Sequence, residues 1–364
     1  MRVFLALAGC LVVLSTVLSE VRALVVPRVF RPGTSNFIGR GVLSSFSWAA
    51  TRLEGYETKD RLLAYAGPLS VVTRLVGWLF SFLIGYTMLI YAINGLAFRP
   101  AFREAGSSLF TLGFASADRT RLNIVDFAAA VTGPVSIGLL VGYLPALYAA
   151  YARRETEVTM LEARAGGPAW GPEILARHAM VGLLPQLPDL YRGWERWTAD
   201  VAESHTSYPV LLYFRSPRAH RNWLIALLAV LDAAALQLAF NPSQVNGEIQ
   251  LTLRSGFVML REIARTMRIP YDPDPSPEDP IQLTKEEFLY GLQRMQAQGY
   301  AIERVPDEAW IQFKGWRVNY ESIVYALAAK IEAVPAPWSG PRRTTEAQID
   351  VITPVNRIPS ADFR

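Results

Sequence analysis

The sequence predicts a mainly α-helical membrane protein in two parts: membrane helices that bracket a short re-entrant helix and its loop, then a mostly helical soluble domain. Three observations predict it. Of 364 residues, 51% are hydrophobic and the mean hydropathy is +0.19, above the usual range of a soluble enzyme. The apolar residues gather in a few long blocks with almost no charge, as membrane spans require. Beyond residue 152 apolar positions recur at helical rather than strand spacing.

The first block, Val3 to Ser19, has 17 uncharged residues, the lower limit for a span. It reads as a retained transmembrane helix within a segment 1–26, or as a secretory signal peptide. Against cleavage, the n-region holds only Arg2, and Glu20-Val21-Arg22 puts charge where a cleavage site is small and neutral. Residues 27–66 form a basic linker. The second block, Leu75 to Phe98, has 24 uncharged residues, and the third, Leu122 to Tyr151, carries only Asp126. Lys and Arg counts set the orientation. The stretch from Arg22 to Arg74 holds eight, Arg153-Arg154 close the third block, and the segment between blocks two and three holds four: Arg99, Arg103, Arg119 and Arg121. The positive-inside rule then places 22–74 and everything after 152 in the cytoplasm, with the N-terminus and the 99–121 segment outside. The expected location is a plasma (inner) membrane, crossed more than once.

Between the second and third blocks lies Ser107-Ser108-Leu109-Phe110-Thr111-Leu112-Gly113-Phe114-Ala115. Pro100 can open a helix at its first turn, and Ala101 to Phe110 continues it for a length too short to span but suited to a re-entrant half-helix. Irregular backbone at membrane depth survives only where it is buried or lines a watery cavity. A Thr-x-Gly-aromatic run is the pattern by which backbone carbonyls replace an ion's hydration shell. Thr111, Leu112, Gly113, Phe114 and Ala115 are therefore the candidate filter, and an ordinary extracellular turn at Gly113 is the plain alternative. The third block holds Gly133, Pro134, Gly138, Gly142 and Pro145, which read either as bend points of a gating hinge or, for Gly138 and Gly142, as a helix-packing face. Asp126 either concentrates cations near the outer end or pairs with Arg119 or Arg121.

With these residues in view, segment 67–151 resembles the pore module of the potassium channel family, of the bacterial kind with two transmembrane helices and one pore loop. Its marks are Ser107-Ser108-Leu109 before Thr111-Leu112-Gly113-Phe114, and Gly142-Tyr143-Leu144-Pro145-Ala146-Leu147-Tyr148 followed by Arg153-Arg154-Glu155. The resemblance covers about residues 75–152. It implies that Thr111 lends a hydroxyl and a carbonyl to the innermost ion site, and that Leu112, Gly113 and Phe114 lend carbonyls further out. It also implies four copies around one axis, with a permeating potassium or other monovalent cation in place of any cofactor. The chain departs from the family at Ala115 and Ser116, where the pattern has glycine and aspartate, and at Phe114, where it has tyrosine. These departures leave the choice among monovalent cations open.

Residues 152–340 are expected to be a cytoplasmic helical domain. A polar helix runs on through Arg154–Arg164, and further helices lie around 172–183, 190–204, 221–240, 247–266, 285–298 and 319–332. A small hairpin is expected from Ile302–Arg304 and Trp310–Lys314. The 223–240 run reads as a buried core helix of the soluble domain, with a fourth membrane span, in which Asp232 and Gln237 would be expensive, as the alternative. The polar, aromatic stretch 203–218 reads as an interhelical connection, a ligand pocket or a subunit contact. Asp272 to Pro280 is an acidic, proline-rich linker, and the tail from Pro335, with 341–364, is expected to be disordered.

Other chemistries find no motif. A single cysteine, Cys10, excludes an intrachain disulfide framework. His178, His205 and His220 are scattered and read as surface or capping residues. No Gly-x-Gly-x-x-Gly follows a strand, and no nucleophile elbow or phosphate loop is present. No enzyme, resident metal or nucleic-acid partner is expected. The runner-up to a channel is a non-conducting membrane scaffold whose cytoplasmic domain binds a partner or ligand.

Overall fold

The computed structural model describes residues 1–26, 35–94, 97–115, 120–244 and 246–341. The chain is mainly helical, with no strand among the described residues. Four helical stretches are long and apolar enough to cross a membrane: Arg2–Leu24, Tyr56–Ile93, Asn123–Ala165 and Trp223–Phe240. Two compact units form, one of Met1–Ala152 with Ser204–Arg215, the other of Arg153–Glu203 with Ser216–Arg364.

In the first unit, α1 (Arg2–Leu24) packs along α4 (Ala66–Asn94). At their crossing a Cβ on Gly9 would lie 2.9 Å from the Gly85 carbonyl oxygen, so the backbones meet as small residues allow in a membrane. The 27–66 stretch carries two helices, α2 (Ser35–Ala50) and α3 (Tyr56–Leu63), where sequence reading offered only a linker. A short helix, α5 (Phe98–Leu109), precedes α6 (Thr120–Ala165). At 1.5 Å per residue α6 is about 69 Å long, more than twice a bilayer core of about 30 Å. The polar helix expected after the third block is thus its direct continuation. Pro134 and Pro145 stay inside it, a placement that membrane helices tolerate when neighbours satisfy the freed carbonyls.

Exposed apolar side chains line these helices at intervals of three and four. On α1 they are Val3, Leu7, Leu11, Leu14 and Leu18; on α4, Leu69, Val72, Val76, Phe80 and Ile84; on α6, Ile124, Phe127, Val131 and Val135. One apolar stripe pointing away from the core is what lipid or another copy of the chain would cover.

The stretch 204–215 is more than a connection. It packs into the first unit, with Val210, Leu211 and Phe214 in one core with Val71, Leu140, Tyr143 and Leu147. Tyr208 meets Tyr143 edge-on at 5.3 Å, Tyr151 Oη donates to the Arg215 carbonyl at 2.9 Å, and Arg215 pairs with Asp60 at 3.1 Å.

The second unit is built around α9 (Trp223–Phe240), every residue of which is buried. It starts where Asn222 Oδ1 accepts from the Leu224 and Ile225 amides, an N-cap. Helices α7 (Gly171–Met180), α10 (Gly247–Met267), α12 (Pro306–Arg317) and α13 (Glu321–Lys330) pack against it. A helix apolar on all sides needs such a sheath or a membrane, and here the sheath is protein. Helices α8 (Leu187–Ser207) and α11 (Lys285–Gln296) complete the set. The six helices read from the sequence after residue 165 each lie within about three residues of these bounds.

Three expectations need correction. The hairpin at 302–304 and 310–314 is absent: Pro306 opens α12 with Asp307 and Glu308 in its first turn, and Ala309, Phe313 and Arg317 bury one helical stripe. The start of the expected disordered tail is ordered, since Trp338 is buried and its carbonyl accepts from Arg317 Nη2 at 2.7 Å. The rest of the tail, 342–364, lies outside the described residues. His178 and His205 are buried rather than on the surface. The acidic proline-rich segment is irregular as expected, but it is pinned, with Lys314 Nζ donating to the Glu278 carbonyl at 3.0 Å.

Candidate functional site

Helix α5 begins where Ala97 is extended, and Pro100 occupies its first turn, where a missing N–H is harmless. Ala101, Ala105 and Leu109, four apart, form the stripe that packs in one core with Phe82, Tyr86 and Ile90 of α4 and Ala129 of α6. The two alanines keep α5 close to α4. The end of α5 is fixed against α6 by a still closer approach: a Cβ on Gly133 would lie 1.9 Å from the Leu109 carbonyl oxygen. Ser108 Oγ adds a hydrogen bond to Asp126 Oδ1 at 2.8 Å. The suggested partners of Asp126, Arg119 and the side chain of Arg121, lie outside the described residues.

The candidate filter starts at once after the helix. The Thr111 amide donates to the Ser108 carbonyl at 3.0 Å and the Leu112 amide to the Ser107 carbonyl at 2.8 Å. These are the two bonds of a Schellman ending, with Thr111 in the left-handed position at φ 54°. That position ordinarily belongs to glycine, and a β-branched residue there is a genuine outlier. Gly113 follows at φ 70°, whereas Leu112 and Phe114 between and beyond them keep ordinary hand. Strand geometry, in which successive carbonyls point to opposite sides, is therefore broken at every second residue from Thr111 to Phe114.

The loop closes back onto its helix. Ala115 donates its amide to Ser107 Oγ at 3.0 Å, and the Arg103 guanidinium lies 5.7 Å from the Phe114 ring centroid. Ala115 is not left-handed, so the conformation that a glycine would be needed for is not adopted there. Thr111 Oγ1 donates to the Phe110 carbonyl at 2.8 Å. Phe110, Leu112 and Phe114 are exposed, at 42%, 60% and 57% of their surface. Among the described residues nothing covers these three aromatic and aliphatic side chains fully.

The bend-point residues separate into two groups. Gly133 is a packing residue, wedged on Leu109. A Cβ on Gly138 or Gly142 would meet nothing within 4 Å, so no contact among the described residues requires their smallness. Pro134 and Pro145 interrupt the α6 hydrogen-bond ladder on either side of that open stretch.

Sequence reading found the loop from its Thr-x-Gly-aromatic signature but missed its supports. Ser107, Arg103 and the Ser108–Asp126 bond join positions 8 to 18 residues apart, and only the fold brings them together. It also missed the polar contact of Glu20 with Ser136 of α6 at 3.0 Å, although an acid inside an apolar segment was a visible signal.

The second unit gathers its charge into closed networks. Arg317, fully buried, donates to Asp232 Oδ1 at 2.5 Å, Glu321 Oε1 at 2.9 Å, Tyr325 Oη at 2.8 Å and the Trp338 carbonyl. Tyr320 Oη donates to the same Asp232 oxygen at 2.7 Å, and the Gln282 and Leu283 amides reach Glu321. Glu173 is held by Arg177 and Arg294, each at 2.7 Å. Such saturated groups fasten helices and leave little capacity for a ligand. Comparison of the chain with protein-family models, curated proteins and solved structures finds no match.

Proposed function

We propose that the chain is a pore-forming subunit of a monovalent cation channel, with four copies placing Thr111, Leu112, Gly113, Phe114 and Ala115 around one axis. In this reading α4 is the outer helix, α5 the pore helix and α6 the inner helix of a plasma (inner) membrane protein. The second unit lies on the cytoplasmic side. The observation that carries the reading is Thr111 at φ 54°. A helix end that needed only to be closed would use glycine, and a strained threonine kept at that point is the mark of a residue held for its hydroxyl and carbonyl. Further support comes from the alternating hand at 111 and 113 and from the exposed 110–114 side chains. The C-terminal end of α5, aimed at the loop, favours cations through its partial negative charge. Potassium is the expected ion.

The test is potassium and sodium flux into liposomes carrying the purified protein, with Gly113→Asp as control. Flux lost in the control, with assembly intact, supports the pore. A protein truncated after Arg154 that assembles, yet passes neither ion, rejects it in favour of a scaffold.

A further inference from the structure

Helix α1 lies outside the helix–loop–helix module, and it carries an acid, Glu20, only 4% exposed. Glu20 Oε2 lies 3.0 Å from Ser136 Oγ of α6, two residues past Pro134, and Ser136 is itself fully buried. The other carboxyl oxygen, Oε1, has no hydrogen-bond partner among the described residues. Among the described residues the surroundings supply no counter-charge. From α4 come Trp78, whose Nε1 donates to Ser19 Oγ at 3.2 Å, and Tyr86, whose Oη is 2.8 Å from Thr132 Oγ1. From α6 come Ser136 and Thr132; on α1 itself the neighbouring charge is Arg22, which is exposed. Among the described residues no charged group acts on Glu20.

Counting hydrogens identifies what the site holds. Ser136 Oγ lies 3.0 Å from Glu20 Oε2 and 2.9 Å from the Thr132 carbonyl oxygen, one turn back. A serine hydroxyl carries one hydrogen and can serve only one of two acceptors. If Glu20 were a carboxylate, one of these short contacts would set two acceptors against each other without water. A carboxylic acid removes the conflict: Glu20 donates to Ser136 Oγ, and Ser136 donates to the Thr132 carbonyl. The neighbouring chain has the same form, since Thr132 Oγ1 donates to the Ala128 carbonyl at 2.6 Å and so receives its other hydrogen from Tyr86.

We propose that Glu20 binds a proton inside the membrane and, as the neutral acid, latches α1 to α6 beside Pro134. Loss of the proton to water would leave the carboxylate and the Thr132 carbonyl competing for one hydrogen and would loosen α1 from the inner helix. The site needs no ion flux to be observed, so it stands or falls separately from the channel reading.

The experiment is infrared spectroscopy of the protein in lipid vesicles at neutral pH, comparing wild type with Glu20→Gln. The glutamine amide can still donate to Ser136, so the variant is expected to fold. The difference spectrum should contain a protonated-carboxyl C=O band that is present only in wild type and shifts in heavy water. Absence of that band overturns the proposal. Ser136→Ala, which keeps the carboxyl, provides a second reading: the band should move as its hydrogen bond is lost. An unchanged band rejects Ser136 as the partner and with it the latch.

Discussion

Replacing Thr111 by glycine separates a helix cap from a functional residue. A residue with a side chain in the left-handed region costs roughly 1–2 kcal/mol, and Thr111 sits there at φ 54°. Glycine removes that strain but brings about 0.5–1 kcal/mol of extra unfolded-chain entropy. Thr111 is exposed and its hydroxyl reaches only the adjacent Phe110 carbonyl, so little packing is lost. Thr111→Gly should therefore be neutral to more stable, by about 0–1.5 kcal/mol on these two terms. The same variant should lose ion flux, or its preference for potassium over sodium, because the hydroxyl is gone. Thr111→Ser, which keeps the hydroxyl and sheds the branch, should retain both. The assays are thermal unfolding in detergent and paired flux in liposomes. Unchanged flux and unchanged ion preference in Thr111→Gly would refute the argument from strain and reduce Thr111 to a helix cap.

Other perturbations read out the supports. Gly133→Ala places a Cβ against the Leu109 carbonyl and should cost about 1–3 kcal/mol by overpacking, seen as a lower unfolding temperature. Gly138→Ala and Gly142→Ala meet open space and should leave the stability of a single chain unchanged; if they disrupt the oligomer on size-exclusion chromatography, that face is a contact rather than a hinge. Phe214→Ala, which empties the core shared with Val71 and Leu147, should destabilise the first unit by about 3 kcal/mol in denaturant titration. Asp232→Ala leaves Arg317 with a buried, partly unmatched charge and should cost about 3–5 kcal/mol of the second unit's stability. Burial lowers the pKa of His178 from 6.5, against the opposing effect of its bond to the Ile174 carbonyl at 2.7 Å. The unfolded chain thus binds this proton more readily. Its stability contribution is complete above pH 6.5 and declines as pH falls toward the lowered folded value. His178→Asn should flatten that acid slope in pH-dependent melts.

What could be read from the chain and what could not divide along one physical line. Helices α7 to α11 and α13 follow from local sequence signals, most plainly α10, whose Ile249, Leu253, Gly256, Leu260 and Ile263 are buried at i, i+3 and i+4 on the helix that packs against α9. Residues 302–314 misled because Ile302, Trp310 and Ile311 are strong strand formers; the deciding residue was Pro306, whose place at a helix start outweighs propensity. Trp338 was hidden for another reason. Prolines at 335, 337 and 341 suggest disorder, yet its ring lies 5.7 Å from Trp170 and 5.6 Å from Phe313, partners remote in sequence. The loop at 111–115 was legible because the candidate chemistry uses backbone, whose requirements appear as a run of consecutive residues. Its supports were not, because Gly133, Asp126 and Ser107 matter only through what the fold sets beside them. Glu20 lies between these cases. A charge in an apolar segment is conspicuous, and burial there demands a partner. Ser136, 116 residues away, becomes that partner only once α1 and α6 are brought together. The neutral acid then follows from a count of hydrogens that no sequence displays.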